Sequence, residues 1–393
     1  MKTAFLCRSL EPGKDGVGDY SRRLAGEMIR KGHPSVVVAI NDPYVSQTVA
    51  EPQEIEGTPV PVLRLPEVMP KRNRASEART WLDSVRPDWV SLQFVPFAFD
   101  PRGLCFDLGS WLTAMNSQAP WHIMFHELWL GLGEDATVKD RIWGSLQRKA
   151  VLNVTNRLRP GPVHTQTTPY RTVLGREKIK ADILPLFSNI PCVSGDGWRD
   201  LLEPLVAQAT GKPQPGDTLY LAGILGAVHP QWHVGEAVET ILPLVQRLKK
   251  RLVLVFLGKN NLNQESFDDL RTQLQGRADM VVAGERPAAE ISKLLQTLDL
   301  GLATTPLEVI QKSGSAAAML EHGLPLLVIR DDWHLRGTAR QNPPASDRLF
   351  TPPQFAALET LPGRDPARAG DHGVKKVADQ LLSSLASFAR NGA

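Results

Sequence analysis

Cys7, Cys105 and Cys192 are the only thiols in a chain of 393 residues. They lie far apart, show no CxxC spacing and cannot all pair, so neither a disulfide framework nor a cysteine zinc site is expected, and a reducing cytoplasm suits the composition. Long apolar runs are missing too. The first, in "MKTAFLCRSLEPGKDG", meets charges and glycines too soon for a signal segment, and the others are strand-sized, far short of a membrane span. Charge of one sign is scarce: 45 basic against 42 acidic residues leave +3, too little to point to nucleic acid. No repeat and no low-complexity tract is present. What is there is an ordinary globular mixture, 42% hydrophobic and 22% charged, in a chain too long for one core, which predicts two domains.

Short apolar runs alternate with helical stretches from the start: "KTAFLC", "PSVVVAI", "VPVLRL", "DWVSLQF", "WHIMFHE", "PVHTQ" and "ADILPL". This order predicts a parallel sheet with helices on its faces. Tyr20, Leu24 and Met28 recur at helical spacing between the first two runs, completing a βαβ unit. After "LPLFSNIP" the chain turns rich in Gly, Pro and polar residues, and the interdomain passage is expected between about Asn189 and Asp217. A second series follows, "DTLYLAGI", "RLVLVFLGK", "DMVVAGE", "DLGLATT" and "PLLVIRDD". The expectation is an α/β protein of two Rossmann-like, doubly wound domains facing a cleft. Its divisions are 1–195, 196–360 and a tail 361–393 whose amphipathic helix, with Val377, Leu381, Leu382 and Leu385 on one face, returns toward the first domain. "RQNPPASD" and "PARAGDHG" read as exposed loops.

Ligands of open α/β sheets sit at the carboxyl ends of the strands. Three strand ends carry chemistry. In "EPGKDGVGDYSRRLA" the glycines, including Gly16 and Gly18, permit close backbone approach, Asp19 can cap the helix, and Lys14 suits an anionic ligand. "WHIMFHELW" delivers His126 and Glu127 to a strand end, where an imidazole can act as a base and a carboxylate can orient it, while His122 inside the strand reads as structural. In "QKSGSAAAMLEHGLPLLV", Lys312, Ser313, Gly314 and Ser315 open a helix with no acid in its first turn, which makes a positive helix end suited to phosphate. Lys259 after Gly258, and Glu285 in "AGERP", follow other strands of the same series. Asp331 and Asp332 lack a further ligand and read as a loop rather than a metal site.

The order of these stretches resembles the GT-B glycosyltransferases, more narrowly the family-four group that also resembles glycogen and sucrose-phosphate synthases. "GVGDYSRRLAGEMIRKGH" looks like that family's Gly-rich loop and helix, and His126 like its His after a central strand. "LPLFSNIP" looks like the end of its first domain, and "VVAGERPAAEISKLLQTLDLGLATTP" with "AAAMLEHGLPLLV" like its donor domain. The resemblance implies an N-terminal acceptor domain and a C-terminal domain for a nucleotide-diphosphate sugar. Two departures stand out. Gln311 and Ala318 occupy the positions of the family's paired glutamates, with Glu308 nearby at the wrong spacing. Where the family's diphosphate-binding Arg and Lys should fall, "GILGAVHPQWH" offers Gly223, His229 and His233.

If diphosphate binds, its charge then falls to Lys312 and the Ser313–Gly314–Ser315 turn. No DxD-like set is placed to bridge it, so no metal and no cofactor are expected. A retaining transfer needs little beyond stabilising the departing diphosphate. An inverting one needs a base near the acceptor, with Asp19 or Glu127 available. A non-catalytic GT-B homologue that binds a sugar or a partner, and a nucleotide-sugar epimerase, remain alternatives. If the acceptor is lipid-borne, "RIWGSLQRKAVLNVTNRLR" and the cluster Lys71, Arg72, Arg74 are the stretches suited to anionic lipid at the inner face of the membrane.

Overall fold

The computed structural model describes residues 1–116, 118–210, 218–229, 231–344, 346–370 and 372–391. Residues 211–217 of the expected interdomain passage, and Ala345 and Asp371 of the two expected loops, lie outside the described residues. Two compact units emerge. The first comprises Met1–Asn189, His334–Gln341 and Gly373–Ala393, and the second Ile190–Trp333 and Asn342–His372.

In chain order the first unit runs β1 (Thr3–Cys7), α1 (Gly16–Arg30), β2 (Ser35–Asp42), β3 (Gln53–Ile55), β4 (Thr58–Val60), β5 (Val62–Pro66), α2 (Lys71–Val85) and β6 (Trp89–Phe94). It continues through α3 (Pro96–Phe99), α4 (Leu108–Met115), β7 (Trp121–Phe125), α5 (Val138–Leu158), β8 (Val163–Thr165), α6 (Thr168–Arg176) and β9 (Asp182–Ile183). Seven of these strands form one parallel sheet in the order β5-β2-β1-β6-β7-β8-β9, and β3 and β4 form a small antiparallel hairpin. Each strand of the big sheet matches one of the apolar runs, because a strand covered on both faces is apolar at nearly every position. All five residues of β1 and all six of β6 are buried.

The second unit contains a π-helical turn at Trp198–Leu202, α7 (Glu203–Thr210), β10 (Leu219–Leu225), α8 (Val234–Arg247), β11 (Arg251–Leu257), α9 (Gln264–Leu274) and β12 (Asp279–Gly284). Then follow α10 (Ala288–Leu295), β13 (Leu300–Ala303), a 3-10 turn Leu307–Lys312, α11 (Gly314–Glu321), β14 (Leu326–Val328), β15 (Leu349–Phe350) and α12 (Pro352–Ala356). Its sheet order is β12-β11-β10-β13-β14-β15, all parallel. Alternate residues feed opposite faces. Leu221 and Leu225 of β10, with Val253, Val255 and Leu257 of β11, meet Leu294, Leu295 and Met319 on one side. Tyr220, Ala222 and Ile224, with Leu252, Leu254 and Phe256, meet Val238, Ile241 and Val245 of α8 on the other. Each such side chain contributes roughly 1.5–3 kcal/mol of burial.

Two returns of the chain complete the first unit. Helix α13 (His372–Asn391) sets Val374, Val377, Ala378, Leu381 and Leu385 against Phe5, Leu24 and Met28, with Lys31 and Asp379 paired at 2.8 Å. The second return, His334–Gln341, has no apolar period to announce it. It is held by backbone bonds from Arg336 N–H to Leu132 O and Glu134 N–H to His334 O, both 3.0 Å, and by Arg176 on the Arg336 and Gly337 carbonyls. Linear divisions at 195 and 360 take no account of it. Among the described residues no helix is long and apolar enough to cross a membrane.

Candidate functional site

In the second unit the strand order reverses between β10 and β13, the place where a doubly wound sheet opens a crevice. The loops leaving these strands are tied together: Thr304 Oγ1 donates to Ala227 O at 3.1 Å, and Leu307 N–H donates to Arg330 O at 2.9 Å. Arg330, at the end of β14, is buried and gathers the loops. Its Nη2 donates to Gln231 Oε1 at 3.0 Å, its Nη1 to Thr304 O at 3.3 Å, and its Nε and Nη2 to the Asp332 carboxylate at 3.0 and 2.8 Å. Partial burial raises the Asp332 carboxyl, but the Arg330 hydrogen bonds and charge outweigh it and leave it below its ordinary value. His229 is held low by burial first and by Arg330 second. The guanidinium was hidden in "PLLVIRDD", where the run of strand residues masks it. The signal that could have found it is a cation directly at a buried strand's end, two residues before an acid.

The "KSGS" turn lies just beyond β13. Ser313 is the N-cap of α11: its Oγ accepts from Ala316 N–H at 3.3 Å and bonds Ser315 Oγ at 3.1 Å, so this hydroxyl is used by the fold. The first amides of a helix have no intrahelical partner, and no acidic side chain stands in the first turn of α11. A Cβ built on Gly314 meets nothing within 4 Å, so the protein leaves open space there. Lys312 closes the 3-10 turn, half-buried, and Glu308 is buried inside that turn. Lys259 and Glu285 stand exposed past the ends of β11 and β12.

Gly223 is not at the strand end where a donor loop was expected. It lies within β10, and a Cβ there would stand 2.2 Å from Leu298 Cδ1, so it is a packing glycine of the core, not a donor-loop residue. The glycine that turns the chain after β10 is Gly226, with φ +80°. The run "DTLYLAGI" already enclosed Gly223 within the strand.

In the first unit the glycine loop is also rearranged. The cap of α1 is Asp15, not Asp19: Asp15 is extended (φ −136°, ψ 109°) and accepts from Val17 and Gly18 N–H at 2.9 and 3.0 Å. Gly13, at φ +71°, turns the chain early and starts the helix at Gly16. Asp19 therefore lies in the helix's first turn, where it accepts from Gly13 N–H at 3.2 Å and pairs with Arg22. Two carboxylates thus answer amides that were expected to face an anion. Gly18 has a packing reason as well, since a Cβ would come within 2.2 Å of the Ser9 carbonyl oxygen, whereas Gly16 is exposed with room around it and Lys14 reaches solvent.

His126 follows β7 but is not poised as a base. Its Nε2–H donates to Gln93 Oε1 at 2.9 Å, and its Nδ1 accepts from Gln166 Nε2 at 3.0 Å. Burial pushes it down to about 3 and keeps it neutral. It belongs to a buried polar chain: Gln93 Nε2 donates to Ser91 Oγ at 2.7 Å, Ser91 meets His122 Nδ1 at 2.7 Å, and His122 Nε2 meets His164 Nδ1 at 2.9 Å. Every link can point the same way, which satisfies each group. Tyr20 stands edge-on to His126 at 4.9 Å. Glu127, half-buried, is the next residue along.

No family model matches the chain, and no curated protein sequence matches it. Solved structures do. The chain is similar to Anabaena Alr3699/HepE in complex with UDP, at 14% identity and a TM-score of 0.56 over 100% of this chain and 99% of that one. It is similar to the catalytic domain of starch synthase IV from Arabidopsis thaliana bound to ADP and acarbose, at 13% identity and 0.54 over 99% of each. A putative UDP-N-acetylglucosamine 2-epimerase from Listeria monocytogenes follows, at 14% and 0.53 over 99% and 97%. At such identities the likeness is one of fold, and that fold is GT-B, with two Rossmann-like domains.

Proposed function

We propose that this protein is a metal-independent glycosyltransferase whose C-terminal domain holds a nucleoside-diphosphate sugar and whose N-terminal domain holds the acceptor. The observation that carries the reading is the start of α11: the Gly314 and Ser315 amides ahead of the Ala316 N–H that Ser313 caps, no acid, open space at Gly314 and Lys312 beside it, all in the loop that leaves the switch-point strand β13. The fold likeness to proteins solved with UDP and with ADP supports it. In this reading the amides of Gly314 and Ser315 and the ammonium of Lys312 hold the diphosphate. Lys259 and Glu285 are available to the nucleoside. The family-four resemblance goes with it, with Lys312 and the helix end in place of the absent Arg and Lys.

When the bond from the anomeric carbon to the diphosphate oxygen breaks, its electron pair leaves with the phosphate. The charge that develops there is what helix amides and Lys312 stabilise in place, without reorganisation. His126 has no part as a base, since both ring nitrogens are bonded and the imidazole stays neutral and weakly basic. A retaining transfer, in which the acceptor's proton goes to the departing phosphate oxygen, asks least of the residues present.

Calorimetric titration with UDP, GDP and ADP tests the donor site. Lys312→Ala is expected to weaken the preferred nucleotide about ten- to a hundredfold, one charge-assisted hydrogen bond. Equal affinity of variant and parent would remove Lys312 from the site. Turnover that is lost in EDTA and restored by manganese would overturn the metal-free part. Incubating the parent with a nucleotide sugar alone separates the epimerase, which would make a new nucleotide sugar without any acceptor.

A further inference from the structure

We infer that the outward face of α5 is a docking surface for an anionic lipid bilayer. This helix is apolar on two sides. Gln147, Ala150, Val151, Val154 and Leu158 pack into the first unit. On the opposite side Val138 and Ile142 are 70% and 63% exposed and Leu146 is 37% exposed, at i, i+4 and i+8. At about 100° per residue these three span roughly 80° of the helix surface, with Lys149 among them and Lys139 and Arg141 at the two margins. Leu130, 40% exposed, lies on another flank of α5, where Gly144 lets the helix rest on the Leu130 carbonyl, a Cβ there coming within 1.9 Å, and Gln147 Oε1 accepts the Leu130 N–H at 3.0 Å. The neighbouring segment, bonded to α5 through Trp143 Nε1 to Arg102 O at 3.0 Å, carries exposed Phe97 and Phe106.

A solvated helix face accounts for the charges but not for a row of exposed branched apolar residues. Charge decides the occupant. Within Val138–Leu158 the basic residues are Lys139, Arg141, Arg148, Lys149 and Arg157 and the acid is Asp140, so 5 − 1 leaves +4. Asp140 is engaged in the capping box with Thr137, and Arg148 is paired with Glu177 at 2.6 Å, so Lys139, Arg141 and Lys149 are the cations at the apolar stripe. Glu134 and Asp135 precede the helix and bring 130–158 to +2, by 5 − 3. Apolar side chains ringed by cations are the arrangement that inserts between acyl chains while binding lipid phosphates. The other basic cluster, Lys71, Arg72 and Arg74, does not share this geometry: Arg74 is buried over the Trp111 ring and donates to Ile40 O at 2.9 Å, and Lys71 pairs with Asp107 at 2.6 Å.

The test is co-sedimentation of the full chain with phosphatidylcholine vesicles with and without phosphatidylglycerol, in the absence of any donor nucleotide, so that its outcome is separate from that of the donor-site reading. The parent is expected to pellet with the anionic vesicles and to be released by salt. Replacing Lys139, Arg141 and Lys149 by Gln should weaken partition roughly fivefold per charge. The pair Ile142→Ser and Leu146→Ser should weaken it about tenfold or more, and because both side chains are exposed the fold should persist by circular dichroism. No binding by the parent, or equal binding by the variants, overturns the inference. So does a parent dimer in solution that the Ile142→Ser, Leu146→Ser pair converts to monomer, which would make the face a contact between copies.

Discussion

The two domains share one strand order, which the first extends by β9, and differ in where they keep their polar groups. In the first, polarity is taken inside: Gln166, His126, Gln93, Ser91, His122 and His164 form one buried chain beneath the sheet, and the glycine loop is closed by its own Asp15 and Asp19. In the second, both faces of the sheet are apolar and, apart from the buried Ser292–His322 pair at 2.8 Å, the polar groups gather at the strand ends, around Arg330 and the start of α11. A buried polar group that is satisfied within the protein holds the fold, whereas first-turn amides beside open space, as at Gly314, can take a partner from outside it. Strand-end position alone therefore does not distinguish a functional histidine from a structural one.

Acid should separate the two domains most. Burial holds His126 at about 3, His164 at about 4 and His122 well below its ordinary value. Each is depressed in the fold and binds its proton near 6.5 when unfolded, so this contribution is whole above about pH 6.5 and is lost as pH falls toward 3. At pH 5 the loss is about 2 kcal/mol for each of His126 and His164, roughly 4 kcal/mol together, and His122 adds to it in the same direction. Hydrogen exchange resolved by domain at pH 7.5 and pH 5 should show the first domain opening first. Equal loss of protection in both would break the comparison.

A smaller effect is expected from His126→Ala, which leaves Gln93 and Gln166 without their partner. Urea unfolding should show a loss of about 2–4 kcal/mol at pH 7. Nucleotide affinity should be unchanged. A variant as stable as the parent but slow in transfer would return His126 to the chemistry.

Smallest and sharpest is a pair of glycines. Gly18→Ala meets a backbone carbonyl and should cost about 1–3 kcal/mol, since the helix must shift away from β1. Gly314→Ala meets nothing and should change stability by less than about 0.5 kcal/mol, yet it should weaken nucleotide binding in calorimetry by crowding the approach to the helix end. Unaltered binding would mean that no ligand comes close to Gly314.

The sequence by itself determined the two series of parallel strands, because a strand sandwiched between helix layers needs an unbroken apolar run and little else does. It determined the amphipathic α13 for the same reason: Val377, Leu381 and Leu385 repeat at the helical period wherever the partner surface lies. What only the tertiary structure decided were choices between near-equal local options and pairings across distance. Asp15 and Asp19 are equally good caps as residues, and the positive φ of Gly13 chose between them. Gly223 and Gly226 both fit a turn, and the packing of Leu298 made one of them core. The hydrogen bond between His122 and His164 joins residues 42 positions apart and exists because β7 and β8 lie side by side. Likewise Arg330 meets Gln231, 99 positions away, through the order of the sheet. Apolar periodicity is written locally because burial depends only on which face a residue occupies, while a polar side chain's role depends on its partner, and the fold alone brings that partner within 3 Å.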